Sequence, residues 1–262
     1  METNIRRRVL VITRNMIPVP GLSVMGGGLR AWSLGEALRR CGHDVVYSVP
    51  RSLLPEGECD ETLRRLAFEV DDLNSIILKA EPDVVLVEQW DILTYMPRIS
   101  LPLVVDLHGS LMLENAFRQH RSLVSNAAAK IKALNKVDLV VCPSRRQQAY
   151  FMAWMMMTGV DPRQIPVEVV PLSLPLDPLP REAAMEGELQ LIYGGNLWPW
   201  IDSRLALRTA THVLEQKGAG TLSLFVAAPN SHHCFKHDRK VEISADALSD
   251  EVSRSKRVTV EG

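Results

Sequence analysis

The sequence predicts an α/β protein: a doubly wound, mainly parallel sheet wrapped by helices, followed by a second, smaller unit of the same kind. Short apolar runs rich in Val, Ile and Leu alternate with longer amphipathic stretches, the pattern of repeated strand–helix–strand units. Several of the runs are apolar on both faces, as a parallel strand covered by helices requires. A proline-rich interruption, with Pro171, Pro175, Pro178 and Pro180 close together, splits the alternation into two series.

Along the chain, strands are expected over Arg8–Thr13, Asp44–Val49, Asp83–Glu88, Leu103–Leu107, Asp138–Cys142 and Glu168–Leu172. Helices are expected over Leu29–Arg40, Asp60–Ala80, Leu111–Asn135 and Arg145–Met157, where apolar residues recur at helical spacing. These elements make residues 1–172 the first domain. Residues 173–188 read as a semi-rigid linker, because proline fixes φ and supplies no backbone donor. Residues 189–262 restart the series with Leu189–Tyr193, Ser203–Gln216, Leu222–Ala227, Ala245–Ser253 and Arg257–Val260, half of a domain like the first.

The composition, 46% apolar and 23% charged, excludes a disordered, collagen-like or low-complexity chain. With 30 basic and 31 acidic residues no overall field favours nucleic acid, and none is expected as a partner. Cys41, Cys59, Cys142 and Cys234 form no C-x-x-C pair and read as reduced thiols of a cytoplasmic protein. No stretch reaches the roughly 18 apolar residues of a membrane span. The apolar run behind the basic N-terminus stops at Thr13, too soon for a signal peptide. Methionine-rich Phe151–Met157 suits a buried or interface helix, with peripheral membrane contact as the alternative.

Three strand-end motifs carry the candidate chemistry. Gly26-Gly27-Gly28 follows the first strand and precedes the helix expected from Leu29. As a loop, its N–H groups would approach a phosphate at the helix N-terminus; the competing reading is a flexible loop without a ligand. Neither a G-x-G-x-x-G fingerprint nor a Walker loop is present. Asp106-Leu107-His108-Gly109-Ser110 closes a strand, and ligands of open parallel sheets bind beyond such ends. His108 is therefore placed to hydrogen-bond a substrate, or else it is a satisfied structural histidine. Glu88 ends the preceding strand, where it either serves a substrate or is a solvated carboxylate. Tyr193–Trp200 opens the second series; Gly194 and Gly195 repeat the phosphate-loop logic, and Trp198 and Trp200 are either a stacking platform or interdomain core. Two such loops suggest a ligand held between two halves. Ser231–Cys234 with His237 and Asp238 has metal-ligand types at no standard zinc spacing, so no metal is expected. Hydrolysis is set aside because no G-x-S-x-G elbow is present.

In this order the landmarks resemble the retaining GT-B glycosyltransferases of the large group often called glycosyltransferase family 4 (group 1). Gly26–Val45 is similar to that family's first glycine loop and helix, whose L-x-x-A-L-x-x-x-G-H-x-V stands here from Leu34 to Val45. Leu103–Gly109 resembles the strand ending in an active-site histidine, and Asp138–Ser144 the A-D-x-V-I-x-x-S strand. Val169-Val170-Pro171-Leu172 resembles the V-I-P-N-G before the linker, and Tyr193–Leu197 the Y-x-G-R-L opening the second domain. The resemblance spans nearly the whole chain. It implies two facing Rossmann-like domains with a nucleotide-diphospho-sugar donor in the cleft. The reaction implied is retaining transfer of the sugar to a glycan or other hydroxyl acceptor, with no metal and no cofactor. It puts Gly27, Gly28, Gly195, Asn196 and Arg204 on the donor, catalytic His108 on the transferred sugar, and Glu88 on the acceptor side.

The chain departs from that family in two places. Gly195-Asn196-Leu197 stands where G-R-L and then a lysine are usual, so two cations for the diphosphate are missing and Arg204 is the nearest substitute. The family's E-x7-E motif would lie beyond Gly262, so the sequence reads as cut short in its second domain. Weak donor binding and little or no transfer are expected of such a chain, and a non-catalytic relic or partner subunit is the alternative. An NAD-dependent oxidoreductase is disfavoured by the missing fingerprint.

Overall fold

The computed structural model describes residues 5–20, 22, 24–57, 59–117, 123–164, 166–172, 189–194, 201–225 and 258–261. The chain divides into two units, residues 1–112 with 121–177 and residues 113–120 with 178–262.

The first unit is built on a six-stranded sheet of β1 (Arg8–Ile12), β2 (Asp44–Ser48), β3 (Val84–Glu88), β4 (Leu103–Asp106), β5 (Leu139–Cys142) and β6 (Val167–Val169). The order is β2-β1-β3-β4-β5-β6, and every neighbouring pair is parallel. Apolar side chains on both faces drive this sheet together. Leu10, Val11 and Ile12 have no exposed surface, and burying a side chain of that size is worth roughly 1.5–3 kcal/mol. The expected strand Glu168–Leu172 is shorter and begins earlier, at Val167.

From β1 the chain winds first to β2 on one side, then crosses back to lay β3 to β6 on the other. That reversal leaves a crevice beyond the C-terminal ends of β1 and β3, where ligands of open α/β sheets bind. The register sets Glu88, the last residue of β3, beside Asp106, the last of β4. The functional side chains described below leave from those ends.

The helices of this unit are α1 (Gly26–Arg40), α2 (Glu61–Arg65), α3 (Leu73–Ala80), α5 (Leu123–Leu134) and α6 (Arg145–Met157), while α4 (Leu111–Phe117) starts in it and has its residues from 113 on in the second. Beneath α1, Ala31 shares a core cluster with Val9, Val11, Val45 and Tyr47. The single helix expected over Asp60–Ala80 is broken. Its first turns form α2, capped by Asp60, whose side chain accepts from the Leu63 N–H at 2.8 Å. Leu66, Ala67 and Phe68 are then all buried, which one face of an amphipathic helix cannot provide. The chain instead lies along the end of β2: the Phe68 N–H donates to Val49 O (2.9 Å) and the Arg51 N–H to Phe68 O (2.8 Å). The helix expected over Leu111–Asn135 is likewise two helices, α4 and α5. Of the methionine-rich stretch in α6, Phe151 and Met155 are buried while Met156 and Met157 are exposed.

The second unit carries β7 (Gln190–Gly194), α7 (Ser203–Lys217), β8 (Thr221–Phe225) and β9 (Val258–Glu261), with the strands parallel in the order β7-β8-β9. Asp202 caps α7 by accepting from the Leu205 N–H at 2.9 Å. Leu207 and Leu214 pack with Leu222, Leu191 and Tyr193 as a small core. Ala245–Ser253, Ser231–Asp238, Trp198 and Trp200 lie outside the described residues. Among the described residues no helix is long and apolar enough to cross a membrane.

Candidate functional site

At the switch-point edge the structure assembles a buried charged cluster around His108. The imidazole sits between two carboxylates, with Nε2 3.5 Å from Glu88 Oε1 and Nδ1 3.3 Å from Asp106 Oδ2. The Nδ1 contact does not meet hydrogen-bond geometry. Backbone contacts fix the loop that carries His108. The Leu107 N–H donates to Val141 O at 2.8 Å, and Gln147 Nε2, in the first turn of α6, donates to His108 O at 3.1 Å.

Glu88 is held from the β1 side. Thr13 donates its hydroxyl to Oε2, the Arg14 N–H donates to the same oxygen at 3.1 Å, and Asn15 Nδ2 donates to Oε1 at 2.9 Å. Arg14 also pairs with Asp91 at 2.5 Å. Asp106 is held from the helix side by a buried guanidinium: Arg30 Nη2 reaches Oδ1 at 3.1 Å and Nε reaches Oδ2 at 3.3 Å. Side chains of Glu88, Asp106 and Arg30 are 1–3% exposed, whereas His108 retains 20%. Of the four, His108 alone offers surface to a ligand.

Burial on its own pulls the His108 pKa down. The Asp106 contact and the charges of Glu88 and Asp106 outweigh it, with Arg14 opposing them, and the net direction is upward from 6.5. Because the folded pKa is raised, this charge pairing stabilises the fold fully below about pH 6.5 and is lost as pH climbs through the folded value.

The glycine triplet differs from its expected form. Gly26, Gly27 and Gly28 are not a loop before a helix starting near Leu29; they are the first turn of α1, which begins at Gly26 behind an N-cap, Met25, that makes no side-chain cap. The reason for two of these glycines is close approach. A Cβ on Gly27 would overlap Glu88 Oε1 and Asn15 Nδ2, and one on Gly28 would overlap the backbone carbonyl of Met16. The helix end is thus seated directly on the loop after β1 and on the Glu88 carboxylate.

No protein-family model and no curated protein sequence matches the chain. Solved structures do. Sucrose-phosphate synthase from Thermosynechococcus elongatus superposes on 98% of this chain and 70% of its own, at 15% identity and a TM-score of 0.62. The catalytic domain of starch synthase IV from Arabidopsis thaliana, solved with ADP and acarbose, superposes on 97% and 74%, at 12% identity and 0.58. The fold is that of the GT-B glycosyltransferases. An α-glucosyltransferase solved with UDP and a 13-mer DNA reaches a TM-score of only 0.49, too loose a likeness to speak for this chain's partners.

Within this GT-B fold, four residues singled out in the sequence, Gly27, Gly28, Glu88 and His108, come together in the first unit. Glu88 is not a solvated carboxylate, being almost wholly enclosed by its partners. Arg204 is exposed in the first turn of α7, in the second unit. Gly195 and Asn196 lie outside the described residues. Sequence reasoning passed over Thr13, Asn15, Arg30 and Asp106. A signal for the last pair was present: Asp106 is the one charge in an apolar strand, and Arg30 falls beside Ala31 on the buried side of its helix. Among the described residues no group of three or more His, Cys, Asp or Glu could hold a metal ion.

Proposed function

We propose that this protein transfers a sugar from a nucleotide-diphospho-sugar to the hydroxyl of a glycan or other acceptor, with retention of configuration. The observation that supports the reading is His108, partly open and charge-paired, at the switch-point edge of a GT-B sheet. In the reaction the bond from the anomeric carbon to the diphosphate oxygen breaks. A new one forms to the acceptor oxygen, and the acceptor's proton leaves with the diphosphate. His108 contacts the sugar in transit. On this reading the uncapped first turn of α1, in which Gly27 is half-buried and Gly28 buried, stabilises the developing charge of the leaving diphosphate. Glu88 serves the acceptor side by fixing Asn15 and His108 rather than by meeting the acceptor itself. For Gly195, Asn196 and Arg204 a donor-binding role rests on the sequence resemblance.

A second reading, a non-catalytic partner subunit, is favoured by Gly195-Asn196-Leu197, which lacks the arginine and following lysine expected for the diphosphate. The two are separated by assaying the full chain with UDP-, GDP- and ADP-sugars, alongside His108→Ala. Mildly alkaline pH is the right condition, because there the histidine's charge pairing contributes less to stability. Loss of the sugar contact is expected to lower turnover by about 100-fold or more, roughly 3 kcal/mol of transition-state stabilisation. Equal turnover in variant and parent would return His108 to a structural role. No turnover with any donor would favour the partner-subunit reading.

A further inference from the structure

Arg30 makes more contacts than a simple ion pair needs. Its guanidinium spends Nε and one Nη2 hydrogen on the two oxygens of Asp106, as a fork. It also donates from Nη1 to Pro171 O and from Nη2 to Val170 O, both at 2.7 Å. Those carbonyls lie where the chain leaves β6. One buried side chain on α1 therefore clips together the end of β4 and the exit from the sheet's last strand. Arginine suits this work because its five donors are held in one rigid plane, whereas lysine has a single rotating ammonium.

The Asp106 oxygen that Arg30 Nε engages, Oδ2, is also the one facing His108 Nδ1. The guanidinium and the imidazole thus share one carboxylate oxygen, each 3.3 Å from it. We infer that Arg30 is a positioning residue for His108, fixing Asp106 beneath the imidazole and tying that arrangement to the position of Val170–Pro171. The inference deepens the sugar-transfer reading and rests on it for its purpose, although the coupling is measurable without any sugar. Among the described residues, three other groups act near the imidazole. Glu88 faces it from β3, Arg14 acts from the loop after β1 and is itself paired with Asp91, and from α6 only the uncharged Gln147 amide arrives, on the backbone carbonyl.

The test is an NMR pH titration of the full chain, following the His108 imidazole, the Arg30 Nε–H and the Leu172 amide next to Pro171. Coupling through a shared carboxylate is reciprocal, so all three signals are expected to move with one midpoint. If His108 titrates while Arg30 and Leu172 stay still, the inference is wrong. Arg30→Lys gives a second arm. A lone ammonium cannot fork both Asp106 oxygens, so Oδ2 is released to Nδ1. The His108 midpoint is then expected to rise by about one unit, a tenfold tighter proton. An unchanged midpoint in a folded Arg30→Lys protein would also overturn the inference; should that variant not fold, the parent titration decides alone. Shared titration combined with full transfer activity in His108→Ala would leave the clip standing and remove the sugar contact. Lost activity without shared titration would do the reverse.

Discussion

Gly28→Ala is expected to destabilise the first unit by about 3 kcal/mol or more, the largest effect of any single methyl group here. The added carbon would overlap the Met16 carbonyl oxygen, with Asn15 Cβ also close, and a backbone carbonyl cannot swing aside as a long side chain can. Gly26→Ala, in the same helical turn, is the internal control. Nothing lies within 4 Å of a Cβ there, so alanine should be neutral or stabilise by up to about 1 kcal/mol through helix propensity and reduced unfolded-state freedom. Chemical denaturation of the two full-length variants measures the contrast. Equal midpoints would mean that α1 does not seat on the loop after β1, and the geometry around Glu88 would fall with it.

Lys130→Met is expected to raise stability near neutral pH, by about 1–3 kcal/mol. Lys130 is fully buried on α5, and its ammonium has no hydrogen-bond partner. Rings from α6 surround it, with Nζ 4.1 Å from the Trp154 centroid, 5.0 Å from Tyr150 and 5.1 Å from Phe151. Burial pushes its pKa down from 10.5 to about 7. Taken alone, such a shift costs the folded state on the order of 5 kcal/mol at neutral pH. The ring faces return about 2 kcal/mol, since desolvated cation–π contacts favour the charged form. Methionine fills a similar volume with neither term. The sign of the pH dependence follows from the lowered pKa: between about pH 7 and 10.5 the unfolded chain binds the extra proton, so stability of the parent rises with pH across that window. The variant should lose that rise. A variant less stable at pH 7 that keeps the alkaline rise would show that the aromatic cage holds the cation at no net cost.

The sheet of the first unit was legible because its strands are apolar on both faces and separated by helical spacing, a pattern that short-range sequence alone carries. Arg145–Met157 was legible too from its helical spacing, and the structure adds a cap in Ser144, which accepts from the Gln147 N–H at 3.2 Å. Where the reading failed, a distant contact had overridden a local preference. Leu66, Ala67 and Phe68 lie inside the stretch read as one helix, yet the backbone bonds of Phe68 to Val49 and Arg51 draw the chain out of it. Gly26–Gly28 looked like a loop because glycine is a poor helix former. What fixes the triplet in a helix is space, and space is invisible until Met16 and Glu88 are beside it. At the site, His108 stood out as a polar residue ending an apolar run. Arg30 and Asp106 did not stand out as its partners, because that pair closes across 76 residues, from a helix to a strand end.

That His108 is the sugar-facing group is tested most directly by its own imidazole resonance. The full chain is titrated with UDP-glucose, GDP-mannose and ADP-glucose in turn, and the His108 Hε1 signal is followed by NMR. One of these donors is expected to shift that signal saturably and to move its pH midpoint, because a sugar laid against the 20% of the side chain left open changes both its solvation and its partners. A donor that binds while the His108 signal and midpoint stay fixed would contradict it.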